Sequence, residues 1–298
     1  MAVSPSSPLS PWDPTQETLL LLRQGSAALP SSEIATMTQG LTPVVQDVVG
    51  LLTRQGWQGP EVAAIPALSL ASGEGWAWVR VPASTPSLSQ PGLLLMDMDS
   101  TAIAIECIDE IARRGGVYDQ VAEVTERAMQ GGLDFEASLR QRVAMLKGIP
   151  ADVMDEIAAE LPLNPGLTTL CQQLKRHGWV LALASGGFNR IAAVLARQLG
   201  LNHFEANDLA ELDGCLSGQV EGPIVDARRK AAILAELGQQ HGIPATQWLA
   251  VGDGANDLPM LGRAALGVGY RAKPAVAAQV DVHLATLGLD AIPALLRP

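Results

Sequence analysis

Residues 93–101 read Leu93-Leu94-Leu95-Met96-Asp97-Met98-Asp99-Ser100-Thr101, an apolar run that stops abruptly at two acids. A short unbroken apolar run of this kind reads as a strand buried on both faces, as in a parallel sheet covered by helices. Open parallel sheets bind ligands beyond the carboxyl ends of their strands, so Asp97 arrives where chemistry is usually placed. Two acids one residue apart point the same way along extended chain. Their like charges resist joint ionisation unless a cation neutralises one or one keeps its proton. Both outcomes serve phosphoryl transfer, in which an ionised Asp attacks phosphorus and a protonated neighbour supplies the leaving oxygen. The alternative is a solvated turn whose Asp caps the following helix.

The 298 residues, 48% of them hydrophobic, suffice for a full core and more than one domain. A formal net charge of -11, from 20 basic and 31 acidic residues, argues against nucleic acid or an anionic membrane surface as the main partner. Any phosphate site must be local, built from a few placed cations. Cys107, Cys171 and Cys215 have no short paired spacing, so neither a disulfide framework nor a zinc site is suggested. The N-terminus lacks a basic segment followed by an apolar one, and no apolar run approaches membrane-spanning length. A soluble, unexported protein of the reducing cytoplasm is expected.

Residues 1–15, rich in Ser and Pro, are expected to form a flexible tail, and 16–82 a small N-terminal α+β region of open role. Within it Leu19–Leu22 and then Val44, Val45, Val48, Val49, Leu51 and Leu52 fall at helical spacing, whereas Trp76–Val81 reads as a strand. Residues 83–91, with Ser84, Ser87 and Ser89 among prolines, read as a linker. The main domain, 92–105 and 165–298, alternates strand and helix as an α/β fold does. An all-helical insertion, 106–164, interrupts it. Leu212-Asp213-Gly214-Cys215-Leu216 reads as a hairpin with an Asp-Gly turn.

Three of the buried strands end in polar clusters: Asp97/Asp99, Ser185/Gly186, and Gly252-Asp253-Gly254-Ala255-Asn256-Asp257. All three suit the carboxyl edge of one parallel sheet. Asp97 and Asp253 would offer hard oxygens to Mg²⁺, with the Asp99 backbone carbonyl, a phosphate oxygen and waters completing an octahedron. Asp253 is otherwise a turn acid in a Gly-rich loop. Ser185 and Gly186 can turn a hydroxyl and backbone N–H groups toward an anion, although Ser-Gly-Gly is also an ordinary strand-to-helix turn. Lys230 lies on an apolar-rich helix beside Arg228 and Arg229, and spacing alone does not choose among the three cations. By themselves Glu106 and Arg142 read as surface charges of the insertion.

Together these segments resemble the motif set of the haloacid dehalogenase superfamily of phosphatases. Within the insertion, Glu106-Cys107-Ile108-Asp109-Glu110, Thr125-Glu126-Arg127-Ala128-Met129, Leu133-Asp134-Phe135 and Ser138-Leu139-Arg140-Gln141-Arg142-Val143 resemble its phosphoserine phosphatase family. The resemblance runs from about Gly92 to Pro274 and does not extend over residues 1–90. It implies a Rossmann-like core with a helical cap that hydrolyses L-phosphoserine to L-serine and phosphate with Mg²⁺, the last step of L-serine biosynthesis. It matches Asp97 to a nucleophile that becomes an aspartyl phosphate and Asp99 to a general acid and then base. Asp97, the Asp99 carbonyl and Asp253 match metal ligands. Ser185, the Gly186 N–H and Lys230 match phosphate contacts, Asn256 a further polar contact, and Asp257 a supporting acid. Glu106 and Arg142 match the readers of the serine ammonium and carboxylate, with Met129 and Phe135 as apolar walls. A homodimer stays open. A phosphatase for another small ester, such as phosphoethanolamine or phosphohomoserine, is the nearest alternative, and Arg142 argues for a carboxylate on the substrate. A signalling receiver also holds phosphoryl-Asp on such a sheet, but it needs neither Asp99 nor a cap.

Overall fold

The computed structural model describes residues 9–25, 31–65, 70–129 and 134–298, which form two sheets. The first holds β1 (Thr18–Gln24), β2 (Thr42–Val49), β3 (Leu52–Gln58), β4 (Ser72–Gly73) and β5 (Trp76–Val81), with α1 (Ser31–Met37) between β1 and β2. Its order is β2-β3-β1-β5-β4, and the pairings are antiparallel. The Leu19–Leu22 run is therefore a strand and not a helix face, and Val44–Leu52 is a strand pair turned at Gly50, whose φ is +62°. The reason lies in burial. β1 is central and covered on both faces, so it lacks the alternation that marks a half-buried strand, while the turn at Gly50 happens to space the valines like a helix.

Residues 1–8 of the expected tail lie outside the described residues. Residues 9–15 are not loose: the Ser10 N–H donates to the Pro43 carbonyl at 3.1 Å and the Asp13 N–H to Gln58 Oε1 at 2.9 Å. The 83–91 stretch is likewise packed. Thr85 is fully buried, and the Ser87 N–H donates to Gln247 Oε1 at 2.8 Å.

The second sheet begins with β6 (Leu93–Met96). Helices α2 (Cys107–Arg114), α3 (Tyr118–Met129), α4 (Phe135–Met145) and α5 (Val153–Ala159) form the insertion, and α6 (Leu167–Arg176) returns the chain to β7 (Val180–Phe188). Next come α7 (Asn189–Leu199), β8 (His203–Leu212), β9 (Cys215–Glu221), α8 (Ala227–Gln240), β10 (Trp248–Gly252), α9 (Leu258–Leu261), β11 (Leu266–Tyr270), α10 (Pro274–Ala277), β12 (Val282–Leu284) and α11 (Ile292–Leu295). The order is β12-β11-β10-β6-β7-β8-β9, parallel apart from the β8–β9 hairpin. In that hairpin Asp213 and Gly214 both have positive φ, +52° and +79°, as a two-residue type I′ turn requires.

β6 lies between β10 and β7, and all four of its residues are buried. Asp97 and Asp253 thus follow two neighbouring strands, and Ser185 lies on the strand at the other side of β6, although β7 does not end there but runs on through Gly186 and Gly187 to Phe188. Ile108, Ile111 and Ala112 of α2 and Val121 and Val124 of α3 face inward within the insertion, which is also tied to the β8–β9 hairpin. There the Gly148 N–H donates to the Leu216 carbonyl and the Leu216 N–H to the Ile149 carbonyl, each at 2.8 Å. Among the described residues, no helix is long and apolar enough to cross a membrane.

Candidate active site

At the end of β6 Asp97 keeps extended backbone, and the chain then coils over Met98–Ala102, with Ser100 in the left-handed region at φ +57°. This coil carries the Asp99 side chain into the same cavity as Asp97. Beneath the cavity floor Lys230, fully buried on α8, donates from Nζ to Asp97 Oδ1 at 2.7 Å and to Asp257 Oδ1 at 2.8 Å. Its neighbour Arg229 is engaged elsewhere, by Glu205 and Glu236. Long-range packing therefore selects the cation that helical spacing left open. Asp257 uses its second oxygen to accept from the N–H groups of Asp253 at 3.1 Å and Gly254 at 3.0 Å, which folds the Gly-rich loop over β10. Thr101 Oγ1 donates to Asp253 Oδ1 at 3.1 Å.

Four acids share this edge, and their electrostatics show the crowding. Burial, then Asp257, pushes the Asp97 carboxyl upward, with Lys230 opposing. Burial, then Glu106, raises Asp99 to about 7 against hydrogen bonding from Cys107. Asp253 rises to about 6 through burial and then Asp257. Burial alone would lower Lys230, but Asp97 and Asp257 outweigh it and hold the ammonium above its ordinary range. One lysine does not balance this set. Carboxylate oxygens of Asp97, Asp253 and Asp257 lie within 4.8 Å of one another, a hard-oxygen grouping that suits a divalent cation such as Mg²⁺. Asp257 has its oxygens committed to Lys230 and two amides, whereas no donor reaches Asp97 Oδ2 or Asp253 Oδ2 among the described residues. Those two free oxygens are the ones best placed to take a metal.

The cavity above holds about 720 Å³ and is roofed by the insertion. Asp97, Asp99, Glu106, Phe135, Arg142, Ser185, Gly186, Asp253 and Asn256 all line it. Phe135 approaches so closely that a Cβ on Gly186 would lie 2.8 Å from its Cζ, which explains glycine there. Glu106 accepts from Ser100 Oγ at 2.7 Å. Arg142 Nε is buried without a hydrogen-bond partner, and its guanidinium forms no ion pair among the described residues. Burial lowers its pKa, while Asp109, Glu106 and Asp99 act to raise it. Met129 ends α3, and its side chain lies outside the described residues.

Sequence reasoning assigned no role to Thr101, Asp109 or Asn207. Thr101 and Asp109 sit inside motifs that were legible, and their neighbours drew the attention. Asn207 had no signal: its side chain gains meaning only from the strand beside it.

The family model for haloacid dehalogenase-like hydrolases matches residues 92–265, and the chain belongs to that family. Among its relatives is the phosphoserine phosphatase of Vibrio cholerae, 49% identical over 211 residues. That match covers 71% of this chain and 64% of the relative, so the chain spans less than two-thirds of that relative's length. The crystal structure of a probable phosphoserine phosphatase from Vibrio cholerae, in unliganded form, superposes with a TM-score of 0.79 at 39% identity, covering 95% of this chain and 86% of that one. A phosphoserine phosphatase solved as a phospho-aspartyl intermediate analogue superposes with a TM-score of 0.66 at 36% identity, covering 70% of this chain and 100% of that one.

Proposed function

We propose that this protein hydrolyses L-phosphoserine to L-serine and phosphate through an aspartyl phosphate on Asp97, with Mg²⁺. The observation that carries the substrate is Arg142. A guanidinium with a buried, unpartnered Nε faces the same cavity as Asp97, and a planar carboxylate is the ligand that would satisfy it with two bonds. Glu106 in that cavity supplies the opposite charge for an ammonium, as an amino-acid ester requires.

In the first half-reaction an Asp97 oxygen attacks phosphorus and the bond to the serine oxygen breaks. The leaving oxygen takes a proton from Asp99, whose pKa near 7 keeps it protonated in a large share of molecules at neutral pH. In the second, Asp99 removes a proton from water as it attacks phosphorus, and Asp97 leaves as a carboxylate. Ser185 Oγ, the Gly186 N–H and Lys230 hold the phosphoryl oxygens, Asn256 adds a polar contact, and Phe135 walls the serine carbons. Asp97, the Asp99 carbonyl and Asp253 would hold Mg²⁺, which offsets repulsion between the attacking carboxylate and the phosphate dianion when bound. The proposal includes a cytoplasmic setting, in keeping with Cys107, Cys171 and Cys215 as free thiols.

The test is phosphate release from L-phosphoserine, phosphothreonine, phosphoethanolamine and an aryl phosphate, with Mg²⁺ and with chelator. Metal-dependent preference for L-phosphoserine is expected. Preference for phosphoethanolamine would keep the chemistry and reject Arg142 as a carboxylate reader. No release from any ester would reject the phosphatase reading.

A further inference from the structure

The β7–β8 ladder is broken where the phosphate-facing residues lie. Ala184 pairs with Glu205 and Phe188 with Asn207, so Ser185, Gly186 and Gly187 stand opposite the single residue Ala206. A bulge of this kind re-aims side chains at a sheet edge, but it strips backbone groups of their ladder partners. Two asparagines make up the loss. Asn189 Nδ2 donates to the Ala206 carbonyl and its Oδ1 accepts from the Ala206 N–H, both at 2.9 Å. Asn207, only 1% exposed, donates from Nδ2 to the Gly186 carbonyl at 2.8 Å and accepts at Oδ1 from the Val225 N–H at 2.8 Å.

The two amides differ in what they hold. The Gly186 carbonyl gripped by Asn207 belongs to the same rigid peptide plane as the Gly187 N–H, which donates to Ser185 Oγ at 2.8 Å. With an acceptor lone pair of Oγ taken, the Ser185 hydroxyl proton is left to point elsewhere, and the cavity is the open side. At its other end Asn207 fixes Val225, next to Asp226, whose side chain accepts from the Arg229 N–H and caps the helix that carries Lys230. Ser185 at the cavity wall and the helix that carries Lys230 beneath its floor therefore converge on one buried amide. Asn189 holds only Ala206.

We propose that Asn207 is a positioning residue for phosphate: it orients the Ser185 hydroxyl through the 186–187 peptide and sets the start of the Lys230 helix against it. This rests on the phosphatase reading above and adds to it the residue that aligns two phosphate contacts. The experiment is calorimetric titration of inorganic phosphate, with Mg²⁺ present, into the full-length protein and into N207A and N189A, alongside thermal unfolding of each. Both substitutions are expected to lower the unfolding temperature, since each orphans backbone groups at the bulge. Only N207A is expected to weaken phosphate, by about tenfold, as loss of a supporting contact to a binding group does. N189A should bind within about twofold of wild type, the ordinary scatter for a change that touches no binding group.

Equal losses in the two variants, or unchanged phosphate affinity in N207A, would overturn the proposal. Should N207A fail to fold, N207S leaves room for a hydroxyl and one water, and weakened phosphate binding at near-native stability is again the expected result. Retained affinity in N207S would then overturn it. Absence of phosphate binding by the wild-type protein would overturn the phosphatase reading itself, and this inference with it.

Discussion

Among the described residues two long cations, Arg54 and Lys230, are buried, and their surroundings differ. Arg54, on β3 of the N-terminal sheet, is 2% exposed. Its Nε and Nη2 pair with Asp47, and Nη1 donates to the Ala294 and Leu296 carbonyls at the end of α11, so one acid and two carbonyls close its set. Lys230 is equally buried but sits beneath Asp97, Asp99, Asp253 and Asp257, an excess of acid that it cannot balance. A closed set of this kind fastens the first sheet to the C-terminal end of α11. An unbalanced set around a cavity is poised to take a ligand, because an incoming cation relieves repulsion that folding left in place.

The comparison breaks most sharply at Asp97. D97N removes the attacking carboxylate and is expected to lower turnover by on the order of 10⁴-fold or more while the chain still unfolds cooperatively. Steady-state kinetics with thermal unfolding check this, and substantial residual turnover would mean that another group attacks. R54M, at the closed set, should show the reverse pattern. It is expected to cost about 3 kcal/mol of stability, because it orphans two carbonyls and half of an ion pair, with kcat/KM of the folded protein nearly unchanged. Denaturant titration measures the first and assays at low temperature the second.

Between these extremes, R142A should lower kcat/KM for phosphoserine roughly 30-fold and leave phosphoethanolamine nearly untouched, since only the former carries the carboxylate that a guanidinium grips. Equal losses on both esters would return Arg142 to a structural role.

The smallest effect belongs to the junction of the sheets. Burial depresses the pKa of His283 on β12, and its Nε2 is buried without a partner. The unfolded chain then binds a proton near its ordinary pKa of about 6.5, before the folded one does, so stability present above that pH is lost as the pH falls below it. H283Q should flatten the acid side of the stability profile, read as unfolding temperature between roughly pH 5 and 8. An unchanged slope would show that His283 titrates alike in both states.

What was legible in the sequence tracks how local the determining forces are. β6, β7 and β10 could be read because each is an apolar run carrying its own polar cluster; that β10 lies beside β6 is a property of the whole sheet, since β7, β8 and β9 intervene in the chain and lie on the other side of β6. Leu19–Leu22 misled because a central strand buried on both faces has no alternation to betray it. Lys230 could not be told from Arg228 or Arg229, since the choice is made by Glu205 and Glu236 holding Arg229 and by Asp97 lying 133 residues away. Arg54 was invisible for the same reason: its carbonyl partners are more than 200 residues distant. Asn207 answers a bulge, and a bulge is a property of two strands together.

The most direct test of the central claim is to mix the protein with phosphoserine and Mg²⁺, quench in acid within milliseconds, and map the phosphoryl group by mass spectrometry of the proteolysed chain. The account predicts a phosphoryl group on the peptide carrying Asp97, located to Asp97 itself and absent from D97N. Full turnover with no phosphorylated peptide, or a phosphoryl group on another residue, would contradict it.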